Sequence, residues 1–310
     1  MVKTGFDEAG AYIPGSERVR QSADSRFPDE QEERMEFKMK CFITTMMIIG
    51  LILAPAAAMA AQVAPTNNPV SAYLFDEGSG ASTADAFGSN PGTLNGNATW
   101  TNTTPFSYAG NNAVLYNGGT PGYCTLGAPA DLNFLAGTDE FTIAGWYYNP
   151  GGTSDNAGTV IATKGGDPNG SVQYELATLN WPPVGLWTSI RGGTAPTGGF
   201  TPGPIPNWYH LAVVVGPANC QAYVNGSAQG GTFAWGSAST PTDPVWIGGQ
   251  YSVGNPGSPI NWYSAGGSLI DEVGFWNVAL SADNIEWLAN NSIKDLLGGA
   301  ATPGTLIYGK

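Results

Sequence analysis

SLIDEVGFWNVALSADNIEWL, residues 268–288, is the stretch on which the fold turns. A side-chain period of two sets Leu269, Asp271, Val273 and Phe275 on one face of a strand, with Ile270, Glu272, Gly274 and Trp276 on the other. Ser281 stands where a helix N-cap belongs, because its hydroxyl can accept from first-turn N–H groups that lack partners inside the helix. The stretch reads as a last strand followed by one short helix.

Upstream the same grammar repeats. Strand-like runs at 71–75, 113–116, 123–126, 141–148, 160–164 and 173–179 alternate with turn clusters. Further runs at 185–191, 208–215, 221–225 and 245–248 precede 268–276. In FTIAGWYY, Phe141, Ile143, Gly145 and Tyr147 oppose Thr142, Ala144, Trp146 and Tyr148. Asn225-Gly226 marks a hairpin, since both residues tolerate the positive φ of a type I′ turn. About eleven strands with one minor helix predict an all-β fold, a two-sheet antiparallel jelly-roll sandwich with one short helix near the C-terminus.

Composition agrees. The 310 residues include 44 Gly and 23 Pro but only 11% charged residues, which suits short strands joined by tight turns. Hydrophobic residues make up 42%, with 10 Trp, 13 Tyr and 12 Phe, enough for a large core and too many for a disordered chain. A net charge of −13 argues against nucleic acid or an anionic membrane as partner, because both select Lys/Arg patches. Beyond residue 60 only Lys164, Arg191, Lys294 and Lys310 are basic, too scattered for a stripe. No internal repeat and no second compositional regime appears. One domain is expected over residues 70–290, after a polar linker at 61–69 and before a flexible tail at 291–310.

Ahead of the linker, Lys38 and Lys40 precede an apolar run from Phe42 to Leu53 and small residues at Ala58 and Ala60. This pattern predicts a secretory signal peptide over residues 39–60, cut after Ala60, in the style of an exported bacterial protein. Pro55 interrupts the run, which falls short of the ~20 residues that span a bilayer, so no membrane insertion is expected after cleavage. Residues 1–38 form a polar extension, with Met35 or Met39 as alternative starts. Cleavage leaves Cys124 and Cys220. The sequence leaves open whether they form one disulfide or stay buried as thiols.

The strand runs carry more than a pattern. AYLFDEGSG at Ala72, GTLNGNATW at Gly92, AVLYNGGTPGYCTLG at Ala113 and FTIAGWYYN at Phe141 come first, followed by VIATKGG at Val160. NWYHLAVVVGPANCQAYVNG at Asn207, VWIGG at Val245 and GSLIDEVGFWNVALSADNI at Gly267 finish the series. In this order they resemble the LamG-like jelly-roll domains of the concanavalin A-like lectin/glucanase superfamily, over roughly residues 70–288. The resemblance implies two antiparallel sheets packed face to face, with the first and last strands adjacent. Residues 181–206 and 251–265 match no pattern of the family, so no ligand identity is carried over.

The resemblance raises glycoside hydrolysis, which needs two carboxyl groups about 5–10 Å apart. Glucanases of the superfamily set them as Glu-x-Asp-x-x-Glu on one strand, a pattern missing here. Asp76-Glu77, Asp139-Glu140 and Asp271-Glu272 are consecutive pairs, whose side chains a regular strand sends to opposite faces. His210 is the only histidine and reads as a residue bonded within the sandwich, not as a general base. Neither a His cluster nor a CxxC spacing points to zinc. No enzymatic activity is expected.

Calcium is the one metal worth expecting, since some relatives bind a structural Ca²⁺. Adjacent first and last strands would bring Asp76 towards Asp271, with Asp85 on the following loop, and a cation would relieve their repulsion. The alternative is that Asp271 accepts hydrogen bonds from backbone N–H groups without an ion. For a glycan, Trp181, Trp187, Trp235, Tyr251, Trp262 and Tyr263 are the expected contacts, because they lie in or beside loop-rich segments and offer flat rings with a polar edge. The same rings equally suit caps on the sandwich. Trp146, Trp208, Trp246 and Trp276 fall on framework strands, where most are expected in the core. The expected protein is a secreted or cell-surface, non-catalytic module that binds carbohydrate. A structural or adhesive module contacting an extracellular surface protein is the alternative, with a glycoside hydrolase third.

Overall fold

The computed structural model describes residues 62–116, 122–135, 138–150, 160–167, 172–179, 185–190, 193–194, 207–233, 242–252, 259–260, 267–298 and 305–306, with Met35, Lys38 and Met39. The chain divides into two compact units, Met1–Ala60 and Ala61–Lys310, and the second carries the fold. Apart from those three residues, the extension and signal segment expected over 1–60 lie outside the described residues.

In chain order the strands are β1 (Ser71–Tyr73), β2 (Ser82–Thr83), β3 (Gly92–Asn95), β4 (Ala98–Thr101), β5 (Phe106–Ser107), β6 (Ala113–Tyr116) and β7 (Tyr123–Thr125). Next come β8 (Phe141–Asn149), β9 (Val160–Lys164), β10 (Gly166–Asp167), β11 (Tyr174–Leu179), β12 (Gly185–Ile190), β13 (Gly193–Thr194) and β14 (Asn207–Val215). The last are β15 (Cys220–Val224), β16 (Ser227–Phe233), β17 (Val245–Ile247), β18 (Gln250–Ser252), β19 (Pro259–Ile260), β20 (Ser268–Trp276) and β21 (Thr305–Leu306). One helix, α1 (Ala282–Leu288), follows β20.

Two antiparallel sheets form a jelly-roll sandwich. The first sheet has the order β16-β15-β14-β8-β20-β6-β4, with β1 also paired to β20; the second runs β13-β12-β11-β9-β17-β7-β3-β2. Ser71 pairs with Phe275, Ala72 with Gly274 and Tyr73 with Val273, so the first and last strands are neighbours. Alternation decides what lies between the layers. Phe141, Ile143 and Tyr147 of β8 and Tyr209, Leu211, Val213 and Val215 of β14 meet Leu94, Cys124, Tyr174, Leu176, Val245 and Ile247 of the second sheet in the main core. The rings of that core are tyrosine and phenylalanine. Trp146, Trp208, Trp246 and Trp276 are buried as expected, yet none of them belongs to it: each projects from an outward face.

Turn chemistry behaves as read. Asn225 and Gly226 hold φ of 47° and 80° between β15 and β16, with Val224 paired to Ser227. The Ser281 hydroxyl accepts from Asn284 N at 3.2 Å, and Asn284 Oδ1 accepts from Ser281 N at 3.3 Å, a reciprocal cap on α1. Cys124 and Cys220 are free, buried thiols. Alternation misses the short strands β2, β3 and β4, and also β16, whose Gly230-Gly231 pair gives no periodic signal.

One expectation fails at an informative place. Ile270 pairs with Tyr147 and Asp271 with Trp146, but pairing resumes only at Gly274 opposite Ala144. Two residues of β20 thus face one of β8, a β-bulge that reverses the alternation. Leu269 and Asp271 point outward while Val273 and Phe275 point into the core, so the four do not share a face. Glu272 takes the strain, with φ of 47°. Within 291–310, the segment Ile293–Leu297 forms a 3-10 turn capped by Ser292, and Ile293 is buried against Trp276 and Leu288.

Candidate functional site

Two outward faces hold the side chains with chemistry. On the first sheet the bulge gathers an acidic cluster. Asp271 and Glu272 are consecutive, and a regular strand would separate them; here both carboxyl groups are fully buried and close enough to Asp76 to repel it. Glu272 accepts from the Ser292 hydroxyl and from Ile293 N at 2.8 Å. The Tyr108 hydroxyl lies 3.2 Å from Asp76 Oδ1 and 3.3 Å from Glu272 Oε1. Lys294 Nζ donates to Asp76 Oδ2 at 2.9 Å and stands 4.2 Å over the Tyr108 ring.

The electrostatics follow from burial. Desolvation first, then the charges of Glu272 and Asp76, push the Asp271 carboxyl well above the usual range. Burial raises Glu272 to about 7, against the pull of its bonds from Ser292, Ile293 and Tyr108. Glu272 collects the donors, whereas Asp271 Oδ2 has none, and its Oδ1 accepts only from Glu272 N at 2.8 Å. The bonds gathered on Glu272 offset part of its desolvation, and Asp271 has fewer to offset its own. Nearby, His210 pairs with Trp146 across the sheet, and burial pushes its imidazole down to about 3, so it is neutral. Its backbone N–H donates to Asn225 Oδ1 at 2.9 Å, which fixes the hairpin.

The three aspartates expected around calcium are not brought together. Asp76 and Asp271 meet, but the Asp85 carboxylate accepts from the N–H groups of Ala72, Phe87, Gly88 and Asn90 and from the Ser71 hydroxyl. It staples the first strand to its loop. Among the described residues, no set of three or more His, Cys, Asp or Glu side chains is arranged to hold a metal. Lys294 pairs with Asp76 at 2.9 Å, so an ammonium engages one of the carboxylates from which Ca²⁺, with its six to eight oxygens, would draw.

The second sheet presents a different outward face. Register sets Ser82 beside Thr93, Thr93 beside Thr125, Thr125 beside Trp246, Trp246 beside Thr163 and Thr163 beside Glu175. This row alternates with the core row of Leu94, Cys124, Ile247 and Leu176, so it faces away from the first sheet. One step along, Asn95 pairs with Tyr123. The Tyr123 ring stacks on Trp246 with centroids 4.3 Å apart and planes 23° from parallel. Thr163, Glu175 and Trp246 are buried, Tyr123, Thr125 and Asn95 are half-buried, and Thr93 is exposed. The face is closed at β9 and β11 and open at β3 and β7.

Of the six aromatic residues expected to contact a ligand, Trp187 lies on β12 paired with Ala177, and Tyr251 lies on β18 paired with Gly166. Trp181, Trp235, Trp262 and Tyr263 lie outside the described residues. Tyr123 escaped the sequence reading, although the alternation in GYCTLG sets Tyr123 and Thr125 opposite Cys124 and Leu126.

The profile of the concanavalin A-like lectin/glucanases superfamily matches residues 117–286, more than half of the chain. Among solved structures, a Trypanosoma rangeli sialidase in complex with an inhibitor is similar at 15% identity and a TM-score of 0.53, covering 88% of this chain and 40% of the sialidase. A mutant of that sialidase with trans-sialidase activity matches at 17% identity and a TM-score of 0.53, covering 79% of this chain and 36% of the mutant. Domain 4 of an extracellular arabinanase from Geobacillus stearothermophilus, in complex with arabinotriose, matches at 19% identity and a TM-score of 0.48, covering 72% of this chain and 98% of the domain. The chain thus spans well under half of each sialidase, and these likenesses concern the fold alone. Among proteins of curated function, none matches the sequence.

Proposed function

Because the chain belongs to the concanavalin A-like lectin/glucanases superfamily, we propose that it is a non-catalytic carbohydrate-binding module exported from its cell. The observation that carries this reading is the contrast between its two sets of polar side chains. Of the carboxyl groups that converge, Asp271 and Glu272 are sealed from solvent beneath Tyr108 and Ser292, where no glycosidic oxygen can reach them, and Asp76 is held by Lys294. The open surface instead offers a stacked tyrosine and threonine hydroxyls, groups that hold a sugar without cutting it. Export rests on the basic-apolar-small pattern of residues 38–60.

Two measurements test this. A glycan array probed with the full chain should give reproducible binding, together with no release of reducing ends from any bound polysaccharide. An array on which only proteins of the extracellular surface bind would favour the adhesive alternative. Expression in a bacterium should yield an extracytoplasmic protein beginning at Ala61; a cytoplasmic product that keeps residues 39–60 removes export.

A further inference from the structure

We propose that the open end of the second sheet's outward face takes an uncharged glycan, with one sugar ring lying against Tyr123. This rests on the carbohydrate-binding reading and adds the chemical class and the contact residue. Three observations converge on it.

The first is rigidity. Tyr123 is half-exposed, and the buried Trp246 indole supports its ring at a stacking distance of 4.3 Å. A Cβ on Gly249 would come within 2.9 Å of Tyr123 Cβ, so the backbone of that glycine closes in on the tyrosine. A ring held this way loses little freedom when a ligand arrives, which removes a cost that mobile side chains carry.

The second is the company the ring keeps. Asn95 stands across from Tyr123, and Thr93 and Thr125 form the next cross-strand pair on the same face. An amide and two hydroxyls beside an aromatic plane match a sugar, whose C–H groups seek the ring while its hydroxyls both donate and accept.

The third is charge. The ionisable group on this row is the Glu175 carboxyl, and the row holds no cation among the described residues. Lys164 belongs to the inner row, where its ammonium donates to the Asp243 carbonyl at 2.7 Å. Lys294 is committed to the cluster on the other sheet. Arg191 lies outside the described residues. Carboxylated or sulfated sugars need a paired cation at their anion. Here a net charge of −13 repels them.

Affinity gel electrophoresis of the full chain tests the proposal, using arabinan, xylan and mixed-linkage glucan as neutral polymers and polygalacturonate and polysialic acid as anionic ones. At least one neutral polymer should retard the protein, and neither anionic polymer should. Tyr123→Ala should weaken that retardation tenfold or more, whereas Tyr123→Trp should retain it. Thr93→Arg changes an exposed position and spares the core, so it guards against loss of folding; it should weaken neutral binding several-fold. Retardation by an anionic polymer equal to or above that by the neutral ones overturns the charge argument. Wild-type retardation of folded Tyr123→Ala and Thr93→Arg proteins overturns the location and leaves glycan binding standing. Absence of retardation by every polymer, together with a blank glycan array, removes the underlying reading itself.

Discussion

The two outward faces of the sandwich arise from one alternation and end in opposite states. On the first sheet, Ala72, Leu74, Ala144, Ala212 and Val214 point away from the main core, but α1 and the 3-10 turn fold back over them with Leu280, Ile285, Leu288 and Ile293. Trp276 completes this second core with zero exposure, its indole crossing Gly274 so closely that a Cβ there would lie 2.5 Å from the ring. On the second sheet, the outward strip at β3 and β7 is polar and keeps its contact with water. What the chain returns to cover becomes core, and what it leaves uncovered becomes available to a ligand. Alternation gives the direction of a side chain. Only the path of the C-terminal segment gives its fate.

The largest effect should come from setting one face against the other. Trp276→Ala removes a fully buried ring from the covered face, and such truncations cost about 3–5 kcal/mol. Tyr123→Ala removes a half-exposed ring from the open face and should cost about 1 kcal/mol, chiefly its stacking on Trp246. Urea unfolding of the two variants measures both. Equal losses would show that the second face is as much a packed layer as the first.

The sandwich, the Ser281 cap and the Asn225-Gly226 turn were legible in the sequence, because each depends on local chemistry or strict periodicity, whereas the pairing of the first and last strands followed only from the family resemblance. The site was legible only in part. Tyr123 and Thr125 were visible as the polar phase of GYCTLG, yet nothing local says that Tyr123 stacks on Trp246, since β7 and β17 become neighbours only through the jelly-roll path. The acidic cluster was hidden for another reason. A bulge at Glu272 depends on β20 meeting β8 and β1 together, and the two-residue period gives no warning of it. Asp85 illustrates the same limit: its carboxylate serves four backbone N–H groups, and a carboxylate in a loop looks identical whether it waits for a cation or for amides.

An intermediate effect should appear in the pH dependence of the covered face. The folded pKa values of Asp271 and Glu272 are raised above their unfolded values, near 4 for carboxylates. The folded state therefore binds more protons, so this contribution to stability is complete below about pH 4 and is lost as pH rises through the folded values. Glu272 at about 7 places much of that loss between pH 5 and 8. Asp271→Asn keeps an acceptor for Glu272 N while removing one of the repelling carboxyls. At pH 8 it should be more stable than the parent by about 1–3 kcal/mol, the equivalent of one to two pKa units. At about pH 4, where the contribution is complete, the two should melt together. A constant offset at both pH values would place the repulsion elsewhere.

The smallest effect concerns Lys294, where the two faces differ in the kind of charge they tolerate. Its ion pair with Asp76 is partly exposed, with side chains 37% and 23% accessible, so solvent screens most of the attraction. Lys294→Met keeps the aliphatic stem over Tyr108 and should cost no more than about 1 kcal/mol at low salt, fading as salt is raised. Calcium and chelator should leave the parent's melting midpoint unchanged, since Lys294 supplies the positive charge that a metal would otherwise bring. A midpoint that climbs with calcium in the parent would mean that the ammonium yields its place, and that Asp76 and Asp271 are ligands after all.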